Sequence, residues 1–100
     1  MDATDLREIQ DKITQALDAI DADAGASPVL AAVVREFERK TAKAVDLVAT
    51  DRAWEGVVEA EQAGDSAKAA AEADAGADPA STAAVQDAHL AICMLKAQLA

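Results

Sequence analysis

Two side chains with metal-binding and redox chemistry, His89 and Cys93, stand four positions apart in the most apolar stretch of this sequence. Residues four apart on a helix share one face, so the pair could bind one soft or borderline metal ion. A structural zinc site needs four ligands and a catalytic one three, so symmetry mates or nearby carboxylates would have to complete it. The sequence has one histidine and one cysteine. We therefore expect two packed side chains and predict no metal site.

The sequence contains none of the residue patterns that are typical of other catalytic sites. A di-iron carboxylate bundle needs Glu-x-x-His on two helices, but Gln86 stands where the glutamate before His89 would be. A glycine-rich phosphate loop, a serine triad and a Cys-His-Asp nucleophile arrangement are also lacking. Acidic pairs such as Glu55 and Glu59 are expected to be solvated on a helix surface. We predict a protein that is not an enzyme, with no catalytic residues and no cofactor.

The stretch around His89, residues 85–99, is predicted to be a helix that is apolar on two sides. Apolar residues in steps of three and four form one side: Val85, Ala88, Ile92, Leu95 and Leu99. A second side contains Leu90, Met94 and Ala97. A helix of this kind lies deep in a bundle or is covered by another chain. We expect Leu90, Met94 and Ala97, with His89 and Cys93, to form an interaction surface.

The composition favours a small core and an acidic surface. Alanine makes up 28 of the 100 residues, so few large apolar side chains remain for burial. The net charge of −10 disfavours binding to nucleic acid or to anionic membranes. With one cysteine, no leader-like N-terminus and no apolar run of membrane-spanning length, we predict a cytoplasmic protein. The thin core indicates self-association or a helical partner.

Four helices of one domain, residues 1–100, are predicted from periodicity and capping residues. Their approximate bounds are 5–24, 28–49, 51–74 and 79–99. Thr4 or Asp5 is expected to cap the first helix, and Thr50 or Asp51 the third. Gly64 is costly inside a helix, so a break in the third helix near residue 64 is left open.

Basic residues at helical spacing mark the second helix, where Arg35, Arg39 and Lys43 form a stripe. Seven acidic residues and one lysine follow between residues 55 and 78. We expect the basic stripe to lie near these carboxylates within the bundle, although it is also kept as a candidate interaction surface.

Two turns with nearly the same sequence separate these helices. The first, D-A-D-A-G-A-S-P, covers residues 21–28, and the second, E-A-D-A-G-A-D-P, covers residues 72–79, an offset of 51. Gly25 is expected to take the left-handed conformation, Ser27 to cap the next helix and Pro28 to occupy its first turn. The offset fits either a duplicated helical hairpin or shared capping chemistry.

A resemblance to a secreted family lies at Trp54-Glu55-Gly56, near the middle of this 100-residue chain. It resembles the Trp-x-Gly of the WXG100 family of small secreted proteins, which implies a two-helix hairpin with this motif in its central turn. The chain departs from that family at Pro28 and Pro79, which would interrupt both arms, and in having no tyrosine for the family's export signal. If Trp54 does not serve as the turn residue of that family, it is expected to anchor the core at the start of a helix.

A second resemblance lies at Gly64-Asp65-Ser66, which looks like the start of the Asp-Ser-Leu motif of acyl and peptidyl carrier proteins. Those proteins are acidic four-helix domains, and the resemblance implies that Ser66 would carry phosphopantetheine. Ala67 and Lys68 stand where apolar residues are expected after the serine.

The sequence as a whole predicts an all-α protein, an antiparallel up-down-up-down four-helix bundle built from two αα-hairpins. We predict that it is dimeric and non-catalytic, and that it acts as a structural or protein–protein interaction module. The secreted helical protein and the carrier are the alternative functions.

Overall fold

The computed structural model describes residues 2–100. They form four helices and no strands: α1 (Ala3–Asp21), α2 (Pro28–Leu47), α3 (Ala53–Ala73) and α4 (Pro79–Leu99). Each helix packs against the helices before and after it in the chain, and α4 packs against α1. This compact arrangement fits the predicted four-helix bundle. No helix among these residues is both long and apolar enough to cross a membrane.

The helices after the two repeated turns begin as their capping residues predict. Ser27 Oγ accepts a hydrogen bond from the Val29 amide at 3.1 Å, and Asp78 Oδ1 accepts one from the Ala80 amide at 2.9 Å. A proline follows each cap in the first turn, where its missing amide hydrogen leaves no bond unmade. The sequence prediction is therefore confirmed at these two helix starts.

Two other capping predictions are wrong. The cap of α1 is Asp2, whose side chain accepts from the Thr4 amide, so the helix starts earlier than Thr4 or Asp5 would allow. The break before α3 exists, but neither Thr50 nor Asp51 is its cap. Thr50 Oγ instead accepts from the Arg52 amide at 3.1 Å in the connecting turn, and Arg52 precedes the helix without a side-chain cap.

The third helix continues through Gly64 without a break. A methyl group added at Gly64 would lie 3.0 Å from Phe37 Cζ and 3.3 Å from Ile92 Cγ2. The position holds glycine because Phe37, the largest buried side chain, occupies the space where a side chain of residue 64 would lie. Close packing compensates for the low helix propensity of glycine.

The buried residues of the two halves are related by the offset of 51. In α1 and α2 they are Leu6, Ile9, Ile13, Ala16, Ile20, Leu30, Val34, Phe37, Thr41 and Ala44. Adding 51 to each number gives ten positions, 57, 60, 64, 67, 71, 81, 85, 88, 92 and 95, all of which are buried in α3 and α4. The halves share one packing pattern, although their side chains differ in size. The buried Thr41 hydroxyl donates a hydrogen bond to the Phe37 carbonyl oxygen one turn back, at 2.9 Å.

The two repeated turns bind each other through a pair of aspartates. Asp23 accepts from the Gly25 amide of its own turn at 3.0 Å and from the Asp78 amide of the other turn at 2.7 Å. Asp74 accepts from the Gly76 amide of its own turn at 3.1 Å and from the Ser27 amide of the first turn at 2.8 Å. The repeated sequence therefore joins the halves as well as capping their helices.

The glycines of these turns have a different role from the one predicted. Among the described residues no glycine has a positive φ, so Gly25 is not left-handed. A methyl group at Gly25 would lie 2.1 Å from the Gly76 carbonyl oxygen, and one at Gly76 would lie 2.3 Å from that of Gly25. Both positions need glycine because the two backbones touch there.

The Asp23 carboxylate should make stability depend on pH. Hydrogen bonds from the Asp78 amide and the Ser81 hydroxyl hold its pKa below the ordinary value of 3.8. A depressed pKa in the folded state stabilises the protein above the unfolded pKa, and that contribution is lost as the pH falls through the folded value. We expect Asp23→Asn to lower the urea midpoint near neutral pH, and the difference from wild type to shrink as the pH falls below 3.8.

The matched control is Asp18→Asn, an exposed carboxylate near the end of the preceding helix α1, which removes the same charge outside the turn. Urea unfolding followed by circular dichroism across this pH range measures the effect. An Asp23→Asn midpoint equal to that of wild type near neutral pH would contradict a stabilising role for this carboxylate.

Candidate functional site

The structure brings Asp65 of α3 to the His89 and Cys93 pair on α4. Asp65 Oδ1 lies 2.6 Å from His89 Nε2, and Cys93 Sγ lies 3.3 Å from the same nitrogen. One ligand atom from each side chain falls within 4.8 Å of the other two. His89 is 15% exposed and Asp65 56%, so the cluster lies at the surface with its ring largely covered.

Both neighbours of His89 contact the same ring nitrogen. In a nucleophile–histidine–acid relay, the acid binds one nitrogen and the nucleophile the other. Here Asp65 and Cys93 both lie beside Nε2, so the arrangement lacks the geometry of a catalytic triad. The three side chains instead point toward one small volume.

Burial and nearby carboxylates both disfavour ionisation of the Cys93 thiol. Burial raises the pKa of Cys93, and the carboxylates of Glu61 and Asp65 raise it further. The hydrogen bond with His89 lowers the pKa of Asp65. Lys96 forms a 2.8 Å ion pair with Glu61, whose side chain is 13% exposed, and this contact raises the pKa of Lys96. The Cys93 pKa is thus shifted away from that of a reactive, low-pKa thiolate.

Small residues on the inner face of α3 allow α4 to approach closely. Ala60, Gly64 and Ala67 are buried there. Asp65 and His89 flank this contact, and sequence reasoning missed their pairing because it interpreted Asp65 as a helix cap or as part of a carrier motif. Pairing the two helices across the short turn at residues 74–78 would have placed Asp65 near the His89 turn of α4.

The second apolar side of α4 is exposed. Leu90 is 56% exposed and Met94 is 55% exposed, and Ala97 is also open to solvent. The inner side buries the predicted residues except Leu99, which is 38% exposed near the end of the helix. The placement of Leu99 with the buried side is therefore wrong: it lies in the last turn of α4 and is partly open to solvent.

The same positions on α2 carry charged side chains. Subtracting 51 from Leu90, Met94 and Ala97 gives Arg39, Lys43 and Asp46. The buried pattern shows that these outward positions are equivalent in the two halves. The fold therefore does not require apolar residues there.

The predicted basic stripe on α2 is neutralised within the chain. Arg39 binds Glu36 through two hydrogen bonds of 2.8 and 2.6 Å, and Lys43 binds Glu59 at 2.9 Å. Arg35 lies 3.8 Å from Asp21. The hydrogen bonds from Lys43 and Lys40 hold the pKa of Glu59 below its ordinary value. Of the three stripe residues, Lys43 meets the acidic stretch at 55–78, whereas Arg39 pairs within α2 and Arg35 lies near Asp21 of α1.

The residues behind the two family resemblances lie in α3. Trp54 is 45% exposed in its first turn, so the expectation of a core anchor is wrong, and Gly56 is buried against Ala44. Residues 2–100 form four helices where the WXG100 resemblance implies two. Ser66 lies mid-helix and exposed, with its hydroxyl 3.4 Å from the Gln62 carbonyl oxygen.

Comparison of the chain with protein-family models, curated proteins and solved structures found no match. The geometry of the molecule is thus the basis for a functional proposal.

Proposed function

We propose that this chain is a non-catalytic interaction module, an antiparallel four-helix bundle that forms a homodimer through the outer face of α4. We call this surface the α4 face and define it by Leu90, Met94 and Ala97. The observation that carries the proposal is the contrast with α2, whose equivalent positions hold Arg39, Lys43 and Asp46. Large exposed apolar groups at positions that the fold can fill with charges indicate a protein contact.

The order of contacts along the helices supports the antiparallel arrangement. Between α3 and α4, Glu72 contacts Gln86, Asp65 contacts His89, and Glu61 contacts Lys96. Residue numbers thus fall along one helix as they rise along the other. The short repeated turns also favour adjacent helices of opposite direction.

A second copy is the occupant that the charge pattern favours. If a two-fold axis passes between Leu90 and Met94, Leu90 of one copy packs against Met94 of the other. The same symmetry sets Asp87 against Ala97, so no like charges face each other. Asp87 is already paired with Lys12 at 2.9 Å. Apolar contact along this line would have to outweigh the repulsion between two chains of charge −10, including Asp5 and Glu8 of α1 beside Met94.

Replacing the apolar side chains with those of the equivalent helix tests this proposal. The double variant Leu90→Arg and Met94→Lys reproduces the α2 pattern of Arg39 and Lys43. We expect wild type to have twice the mass of one chain by light scattering at micromolar concentration. The variant should have the mass of one chain, with unchanged helix content by circular dichroism.

The matched control is Val29→Lys, because Val29 is 66% exposed at the start of α2, far from the α4 face along the chain. It should remain dimeric. A wild-type monomer whose stability does not change with dilution would refute the homodimer. A double variant that remains dimeric would show that the α4 face is not the interface.

The remaining sequence predictions stay predictions. A cytoplasmic location, a lack of nucleic-acid and membrane binding, and a non-catalytic role follow from the charge, the single cysteine and the missing catalytic patterns. The secreted helical protein and the carrier using Ser66 stay as alternative hypotheses, and no contact in α3 favours either of them over a dimer.

A further inference from the structure

We propose that Asp65, His89 and Cys93 form a zinc site, with Asp65 Oδ1, His89 Nε2 and Cys93 Sγ as its three protein ligands. The sequence alone had led us to expect no metal, because His89 and Cys93 supply two ligands. The structure adds the third from another helix.

Convergence on one point carries this inference. Cys93 Sγ and Asp65 Oδ1 both approach His89 Nε2, at 3.3 and 2.6 Å. Tetrahedral zinc, with bonds of about 2.0–2.3 Å, separates its ligand atoms by roughly 3.4–3.6 Å. The sulfur–nitrogen distance is close to this range. The oxygen must retreat by somewhat less than an ångström, which the exposed Asp65 side chain can do by rotation.

The donor set selects the metal. A thiolate, an imidazole and a carboxylate together suit zinc, whereas magnesium and calcium prefer oxygen ligands alone. On binding, the Cys93 Sγ–H bond breaks, its proton passes to solvent and a sulfur–zinc bond forms. For zinc to bind, the proton that His89 Nε2 holds toward Asp65 is lost to solvent, the ring carries its proton on Nδ1, and the Nε2 electron pair binds the ion. The negative thiolate and the Asp65 carboxylate balance the charge of the zinc ion.

The surroundings leave a fourth position for water. A surface depression of 290 Å³ is lined by Cys93 together with Glu61, Lys96, Ala97 and Ala100, so solvent reaches the Cys93 side of the cluster. Glu61 is held by Lys96 at 2.8 Å, so the lysine charge near the site is neutralised. Three protein ligands and one exchangeable position are the arrangement of an open zinc site.

The three ligands have no counterparts in the other half of the chain. Subtracting 51 from their numbers gives Thr14, Glu38 and Ala42, which are not a zinc-binding set. The shared packing pattern is therefore satisfied without these side chains. Like the α4 face, the cluster is a feature added to one half, and it lies on the α3 side of α4.

Titration of the reduced, metal-free full chain with zinc chloride tests the site. Calorimetry should give one zinc per chain, with proton release that appears as a dependence of the heat on the buffer. Cobalt(II) reports the ligands directly: a tetrahedral site with a thiolate shows intense visible bands and a sulfur-to-cobalt charge-transfer band. The melting temperature should rise with added zinc.

Single substitutions of the ligands should abolish these signals. Cys93→Ser should remove the charge-transfer band, and His89→Gln and Asp65→Asn should each weaken zinc binding by about 100-fold or more, since even outer-shell changes reduce affinity by 10–100-fold. Circular dichroism checks that each variant folds. The wild-type cobalt spectrum provides a test that does not depend on any variant.

Glu72→Gln is the matched control, because Glu72 is an exposed carboxylate of α3 outside the cluster. It should bind zinc as wild type does. The proposal is overturned if wild type binds no zinc. It is also overturned if cobalt shows only the weak spectrum of an oxygen-ligated ion, or if Cys93→Ser binds zinc as tightly as wild type, since adventitious binding to surface carboxylates then explains the result.

Discussion

Gly25→Ala is expected to lower the free energy of unfolding by about 2–4 kcal/mol, from overpacking and the strained hydrogen bonds that follow it. The added methyl group would lie 2.1 Å from the Gly76 carbonyl oxygen, so the two turns must separate. Separation would stretch the hydrogen bond that the Asp78 amide donates to Asp23 and the one that the Ser27 amide donates to Asp74. Urea unfolding of wild type and variant measures the difference.

Two companion variants make this result specific. Gly76→Ala should destabilise by a similar amount, and the double variant should lose less than the sum, because either methyl group alone already separates the turns. Ala24→Ser, an exposed change in the same turn, is the control and should be nearly neutral. Since Gly25 has no positive φ, alanine there is otherwise permitted. A neutral or stabilising Gly25→Ala would contradict the backbone contact.

Ile92→Ala is expected to lower the free energy of unfolding by about 2–5 kcal/mol. Ile92 is fully buried, and its Cγ2 lies beside Gly64, which has no side chain to fill the resulting space. The loss should therefore fall in the upper part of that range. Thermal and urea unfolding at low protein concentration measure it.

Leu90→Ala is the matched control on the same helix. Leu90 is 56% exposed, so in a single chain its truncation should change stability by less than about 0.5 kcal/mol. At higher concentration, where the proposed dimer forms, Leu90→Ala should lower the free energy of unfolding by more than it does in the single chain. Equal effects for Ile92→Ala and Leu90→Ala at low concentration would contradict the inner and outer faces assigned to α4.

Much of the helical framework could be predicted from local sequence. The repeated Asp-Ala-Gly-Ala turns, each followed by a capping side chain and proline, determine where α2 and α4 begin. The spacing of apolar residues predicted the buried side of α4, where Val85, Ala88, Ile92 and Leu95 lie. Both signals are local, since capping and helical periodicity depend on neighbours within a few residues.

Errors arose where another helix or turn decides the outcome. Gly64 suggested a break because its propensity is low, but Phe37 from α2 fills the space beside it. Gly25 suggested a left-handed turn, but a second backbone lies against it. Trp54 suggested a core anchor from its size, but the packing leaves it partly exposed.

The cluster of Asp65, His89 and Cys93 at the α3–α4 contact was also predictable only in part from local sequence. The sequence alone determined that His89 and Cys93 share a helix face, because their spacing is close to one helical turn. It also determined that Leu90 and Met94 lie on the other apolar side of that helix. Whether Asp65 meets the pair depends on how α3 packs against α4, which no local pattern contains. Tertiary structure decided that contact, since residues 24 positions apart in the chain meet only when the helices pack.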